Sequence, residues 1–167
     1  MLENIKFNYV ESENQDELFT PHHRKYDCKI EYKGHRYSFE YQCNPNYMNN
    51  QDDINDRMRS ILIDWLIEVY YKFKLLPETL FLTCNLIDRY LSFKQIKRSK
   101  LQLVGITALF IASKYEEIYP PELSKLVYIT DNAYQRQDVL DMEYNMLNIL
   151  NFNVTVPSPL KYLDFIQ

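Results

Sequence analysis

The chain has 167 residues, of which 46% are hydrophobic and 25% charged, with a formal net charge of −4. This composition fits a globular chain of about one domain and argues against wholesale disorder. It also argues against a nucleic-acid partner, because phosphate binding needs concentrated Lys and Arg.

The acidity is local. Residues 1–20 carry Lys6 against Glu3, Glu11, Glu13, Asp16 and Glu17, which leaves residues 21–167 neutral. The two glycines, Gly34 and Gly105, lie too far apart for a glycine-rich phosphate loop. So few φ > 0 residues disfavour tight hairpins and point to helices.

Residues 1–25 are polar, acidic and aperiodic, and read as a flexible leader. In residues 26–46, Tyr26, Ile30, Lys33 and Tyr37 recur at helical steps, which predicts a short N-terminal helix weakened by Gly34 and ended by Asn44-Pro45-Asn46. From Asp53, the residues Ile54, Met58, Ile61, Leu62, Trp65, Leu66, Val69 and Phe73 form one stripe. Ile63, Ile67 and Tyr70 thicken it, so this helix is expected at the centre of the bundle. Pro77-Glu78-Thr79 starts a second helix, with Leu80, Cys84, Ile87 and Leu91 on its face. Ser99-x-x-Gln102 predicts a capping box for a third, on which Gly105, Ala108 and Ala112 permit close approach. Pro120-Pro121-Glu122 opens a short fourth. Asn132-x-x-Gln135 is a candidate cap for a fifth, carrying Val139, Met142, Glu143, Met146, Leu147 and Leu150. No strand is predicted, and the expected fold is all-α, a five-helix bundle wrapped on a central helix.

Catalytic chemistry is not visible. Cys28, Cys43 and Cys84 are odd in number and lack a CxxC, so neither a disulfide scaffold nor a zinc site is expected. His22, His23 and His35 read as solvated, and neither HExxH nor GxSxG occurs. No metal, cofactor or membrane span is expected. Without a signal peptide or a long apolar run, the chain reads as soluble, in the nucleus and/or cytoplasm.

Longer motifs carry a resemblance. The run Met58-Arg59-Ser60-Ile61-Leu62-Ile63-Asp64-Trp65-Leu66-Ile67-Glu68-Val69 resembles the opening signature of the cyclin box. So do Leu86-Ile87-Asp88-Arg89-Tyr90-Leu91, Lys100 to Gly105, Ala112-Ser113-Lys114-Tyr115-Glu116-Glu117-Ile118-Tyr119-Pro120-Pro121-Glu122, and Val127 to Asp131. The Glu-Glu-Ile-Tyr-Pro-Pro-Glu run is similar to mitotic A/B-type cyclins, with A and B left open. The resemblance implies an N-terminal cyclin box over 47–156, followed over 157–167 by a linker and the start of an absent second box.

It also implies a non-catalytic subunit that forms a heterodimer with a cyclin-dependent protein kinase and activates it in cell-cycle, G2/M control. In that family the box packs on the kinase C-helix and repositions the activation loop. The alternative is a cyclin-box scaffold that binds partners without activating a kinase.

By spacing alone, Lys114 and Glu143 are an ordinary surface ion pair, worth ~0–1 kcal/mol. The resemblance places them at the centre of the kinase interface, with Tyr115, Phe152 and Val154 as apolar contacts and Tyr26 and Ile30 as further ones. By pattern alone Met58, Ile61, Leu62 and Trp65 are core. The resemblance makes them, with Gln102, a patch that docks Arg-x-Leu motifs of substrates or inhibitors, with Glu68 and Asp131 receiving the basic residues. Arg59 falls inside an apolar stripe and needs a partner. By resemblance that partner is Asp88, in a structural ion pair.

Overall fold

The computed structural model describes residues 6–9, 28–32, 35–37, 43 and 45–155. They fall into two units, divided between residues 42 and 43.

The first unit holds three short antiparallel strands, β1 (Lys6–Tyr9), β2 (Cys28–Tyr32) and β3 (His35–Tyr37), in the order β1-β2-β3. Phe7 and Tyr37 both pair with Ile30 across the sheet. This overturns the helix expected over 26–46 and the strand-free reading of 6–9. The same residues also carry a period of two, with Cys28, Ile30 and Tyr32 alternating with Lys29 and Glu31. Over five residues that pattern competes evenly with a helical one, and pairing with β1 and β3 decides it. Tyr26, the remainder of 1–25 and the segment 157–167 lie outside the described residues.

The second unit is the expected five-helix, all-α bundle: α1 (Asp56–Phe73), α2 (Pro77–Phe93), α3 (Leu101–Glu116), α4 (Leu123–Ile129) and α5 (Arg136–Ile149). A 3₁₀ turn at Tyr47–Asn50 precedes it.

α1 starts where the Asn55 side chain accepts the Met58 amide at 3.0 Å, satisfying one of the free N–H groups of the first turn. It ends at Lys74, whose φ of 54° is left-handed. There the Leu75 amide bonds Tyr70 O and the Lys74 amide bonds Tyr71 O, each at 3.2 Å, the pairing of a Schellman end.

Distant side chains satisfy both ends of α2. At its start, Glu117 Oε1 accepts the Leu76 amide at 2.7 Å and the Thr79 hydroxyl at 2.5 Å, an anion where the helix dipole favours one. At its end, buried Gln51 donates to Leu91 O at 2.8 Å and Lys94 O at 2.7 Å and accepts the Ile96 amide at 3.1 Å.

Two expected caps are replaced. Ser99 lies in a 3₁₀ turn, Arg98–Lys100, and α3 begins without a side-chain cap. That turn is held instead by Asp53, which accepts the Arg98 amide at 2.8 Å and its Nε at 2.7 Å. Asn132 has φ 55° in a turn, and α5 opens three residues later, where Asp138 accepts the Gln135 amide at 2.8 Å.

The central helix is α3, not α1. Leu101 and every residue from Leu103 to Ser113 are buried, and α1, α2, α4 and α5 all pack on it. Its small residues allow the approach: a Cβ added at Gly105 would stand 2.6 Å from Leu62 Cδ1. α1 keeps Arg57, Ile61, Asp64 and Glu68 exposed, so it forms a wall of the bundle.

Candidate partner-binding surface

Charge and apolar area meet where the end of α3 lies against α5. Lys114, in the last turn of α3, forms an ion pair with Glu143 of α5. Its ammonium also lies 4.2 Å from the centre of the Phe110 ring, one turn earlier, a favourable cation–π arrangement. The pair is uneven: Lys114 is exposed while Glu143 is half-buried. The lysine therefore presents charge to solvent and the glutamate fixes where it points.

Exposed aromatic residues accompany this pair. Tyr115 is exposed, and its hydroxyl lies 2.6 Å from Thr155 Oγ1. Phe152 is 63% exposed and sits on a left-handed backbone, with φ 56°. Val154 is half-buried against the core. Lys114, Glu143, Tyr115, Phe152 and Val154 thus come from α3, α5 and the segment after α5. Ile30 lies in β2, in the other unit.

The α1 stripe divides by depth. Ile61 is 60% exposed, Leu62 only 4%, and Met58, Trp65 and Gln102 are intermediate. Leu62 packs on Gly105 and is core, the floor of the stripe. Gln102 lies one turn before Gly105 on α3, on the same face. Glu68 is exposed further along α1, three residues past Trp65. Asp131 is exposed in the α4–α5 turn.

Arg59 and Asp88 are joined by two bonds of 2.6 Å, from Nε to Oδ1 and from Nη2 to Oδ2. This paired geometry is the strong form of an ion pair. Tyr47 donates a third bond to Asp88 Oδ1, also 2.6 Å. The Asp88 carboxylate holds the Arg59 guanidinium well above its ordinary range. Burial, with the bond to Asp88, pushes the Tyr47 phenol up. Burial likewise raises the Cys43 and Cys84 thiols.

Sequence reading missed Tyr47, Gln51, Glu117 and Arg89, all of which tie elements together. Arg89 alone carried a signal, as a second arginine inside an otherwise apolar helix face. Among the described residues no cluster of His, Cys, Asp and Glu is placed to hold a metal, and no helix is long and apolar enough to cross a membrane.

A five-helix box on a buried α3, with Arg59 paired to Asp88 and Lys114 to Glu143, has the architecture of a cyclin box. The chain matches the family described as "Cyclin, N-terminal domain" over residues 30–155, and so belongs to the cyclin family. Among solved structures it is similar to a viral cyclin from herpesvirus saimiri, with a TM-score of 0.62 and 25% identity. That match covers 66% of this chain and 48% of the other.

Its relatives include B-type cyclins. Cyclin-B2-3 of Arabidopsis thaliana is 59% identical over 119 residues, covering 71% of this chain and 28% of the relative. Cyclin-B1-5 of Oryza sativa subsp. japonica is 55% identical over 117 residues, covering 70% and 26%. The G2/mitotic-specific cyclin-2 of Medicago sativa is 52% identical over 134 residues, covering 80% and 38%. The A-or-B question left open by the motifs falls on the mitotic B side. The chain spans between 26% and 38% of the length of these relatives.

Proposed function

We propose that the chain binds a cyclin-dependent protein kinase as a non-catalytic regulatory subunit and activates it in mitotic control. The observation that carries this reading is the Lys114–Glu143 pair, with Tyr115 next to Lys114 on α3 and Phe152 just after α5 both exposed, in a chain of the cyclin family. A few exposed apolar anchors around a fixed charged pair are what a protein interface needs at its centre. Binding one kinase conformation better than the other shifts the kinase population toward it. The conformation favoured here has its C-helix in and its activation loop repositioned.

The second part of the proposal is substrate docking. Ile61, Met58, Trp65 and Gln102 form an accessible strip over the Leu62 floor, suited to the leucine of an Arg-x-Leu motif. Glu68 offers a carboxylate to its arginine.

Reconstitution tests both parts. The purified chain is mixed with a cyclin-dependent kinase, and histone-type phosphorylation is measured. Stimulation is expected, while binding without stimulation would instead indicate a scaffold. Replacing Lys114 and Glu143 together by Ala should weaken kinase binding at least tenfold while helical circular dichroism is kept. An unchanged dissociation constant refutes the interface. Trp65→Ala should impair only substrates bearing Arg-x-Leu, and equal loss on peptides lacking it would mark Trp65 as core.

A further inference from the structure

The segment after α5 holds a conformation that its own side chains do not explain. Asn151 and Phe152 have φ of 50° and 56°. The Phe152 amide bonds Leu147 O at 2.8 Å and the Asn151 amide bonds Asn148 O at 3.1 Å. This is a Schellman end with Asn in its left-handed position, which Asn tolerates. A second left-handed residue that is a phenylalanine is a genuine outlier, and persists only where its surroundings impose it. Burial of the ring does not impose it, because Phe152 is 63% exposed.

Two side chains from other helices grip the next residues. Arg89 of α2, only 6% exposed, donates from Nη1 to the Asn153 carbonyl at 2.8 Å. It also reaches Asn85 Oδ1 at 3.5 Å. The Tyr115 hydroxyl meets Thr155 Oγ1 at 2.6 Å. Within the segment, the Asn153 amide bonds Leu150 O at 2.9 Å and the Val154 amide bonds Phe152 O at 3.0 Å. The exposed ring is thus held outward by a backbone anchored one residue later on a buried guanidinium. A guanidinium stays charged at any working pH, and its bond to a carbonyl is of the stronger, charge-assisted kind.

We propose that Arg89 is a positioning residue for kinase binding: through the Asn153 carbonyl it holds the 151–155 segment so that Phe152 stands ready for the partner. This rests on the kinase-binding reading above. Arg89 acts through the Asn153 carbonyl, lowering the cost of ordering Phe152 at the moment of binding.

The first measurement needs no kinase. In the full chain, Arg89→Met keeps the buried stem and removes the donors. Hydrogen exchange of the Phe152 and Asn153 amides should then quicken about tenfold, while α3 amides stay as they were. Unchanged exchange at 152–153 overturns the proposal. The second measurement is a double-mutant cycle of kinase affinity. Arg89→Met and Phe152→Ala should each weaken binding about tenfold, and Arg89→Met should add less than about twofold once Phe152 is Ala. Additive losses would show that Arg89 acts elsewhere and overturn it.

Arg89→Lys keeps the charge and most of the stem, and should recover part of both effects. Arg89→Gln, which removes the charge and shortens the reach, takes the place of the Met variant if that one loses its helical signal. If Phe152→Ala and the Lys114/Glu143 double replacement leave affinity unchanged, the kinase reading fails and the binding half of the proposal falls with it. Exchange at 152–153 still decides the positioning half.

Discussion

Alanine at position 105 tests the packing that joins α1 to α3. The added Cβ would stand 2.6 Å from Leu62 Cδ1 and 3.2 Å from its Cγ and Cδ2. Gly105 and Leu62 are both buried, so the leucine would have to give way inside a close-packed interior. Two effects oppose each other. Ala is better than Gly inside a helix by about 0.8–1 kcal/mol, while forcing an extra methyl into a packed core costs about 1–3 kcal/mol. Gly105→Ala alone should therefore destabilise by about 0–2 kcal/mol. The sharper measurement is the pair. Leu62→Ala alone should lose about 2–5 kcal/mol through the cavity it leaves. In that background the clash is gone, and Gly105→Ala should become stabilising by about 1 kcal/mol. The coupling between the two positions is then about 1–3 kcal/mol. Urea unfolding followed by far-ultraviolet circular dichroism gives all four stabilities, provided the slope m stays constant. If Gly105→Ala raises the midpoint equally in both backgrounds, the close approach of α1 and α3 is refuted.

Tyr47→Phe should cost about 1 kcal/mol at pH 7 through the lost bond to Asp88. Because burial and Asp88 raise the Tyr47 phenol in the folded state, the unfolded chain gives up that proton first. The contribution is complete below about pH 10, the ordinary phenol value, and is lost as pH rises above it. The advantage of the parent over Tyr47→Phe should therefore shrink above about pH 10, and a constant gap in urea midpoints up to that range and beyond would contradict the assignment. Lys74→Gly removes a side chain from a left-handed position and should stabilise by about 0.5–1 kcal/mol, seen as a melting temperature higher by a few degrees. A lower one would show that the Schellman end does not strain Lys74.

Much of the helical unit is legible from spacing of three and four. The stripe Met58–Leu62–Trp65–Val69 marks α1, Pro77 marks the start of α2, and Pro120-Pro121 precedes α4. The errors have one physical source. Apolar girth alone made α1 the centre, yet Ile61 is exposed and α3 is surrounded. What decides is whether neighbours can come close, and the small residues Gly105, Ala108 and Ala112 let them. Ser99 and Asn132 have the residue types of caps. At α3, Asp53 holds the preceding turn from 45 residues away, and at α5 Asp138 sets the start. In the candidate surface, Arg59 demanded a partner by sequence, and the structure supplies Asp88 together with Tyr47.

The chain's periodicity and motifs were enough to establish five helices, a largely all-α box and membership of the cyclin family, because those signals lie within a turn or two of helix or in long matched runs. Tertiary structure decided the rest. It put Leu62 in the core beneath an exposed Ile61, closed both ends of α2 with Gln51 and Glu117, turned residues 28–32 and 35–37 into strands, and set Arg89 against the Asn153 carbonyl. Each of these joins residues that spacing does not pair, Arg89 and Asn153 being 64 apart. Such contacts depend on how whole helices and strands meet, which no local period records.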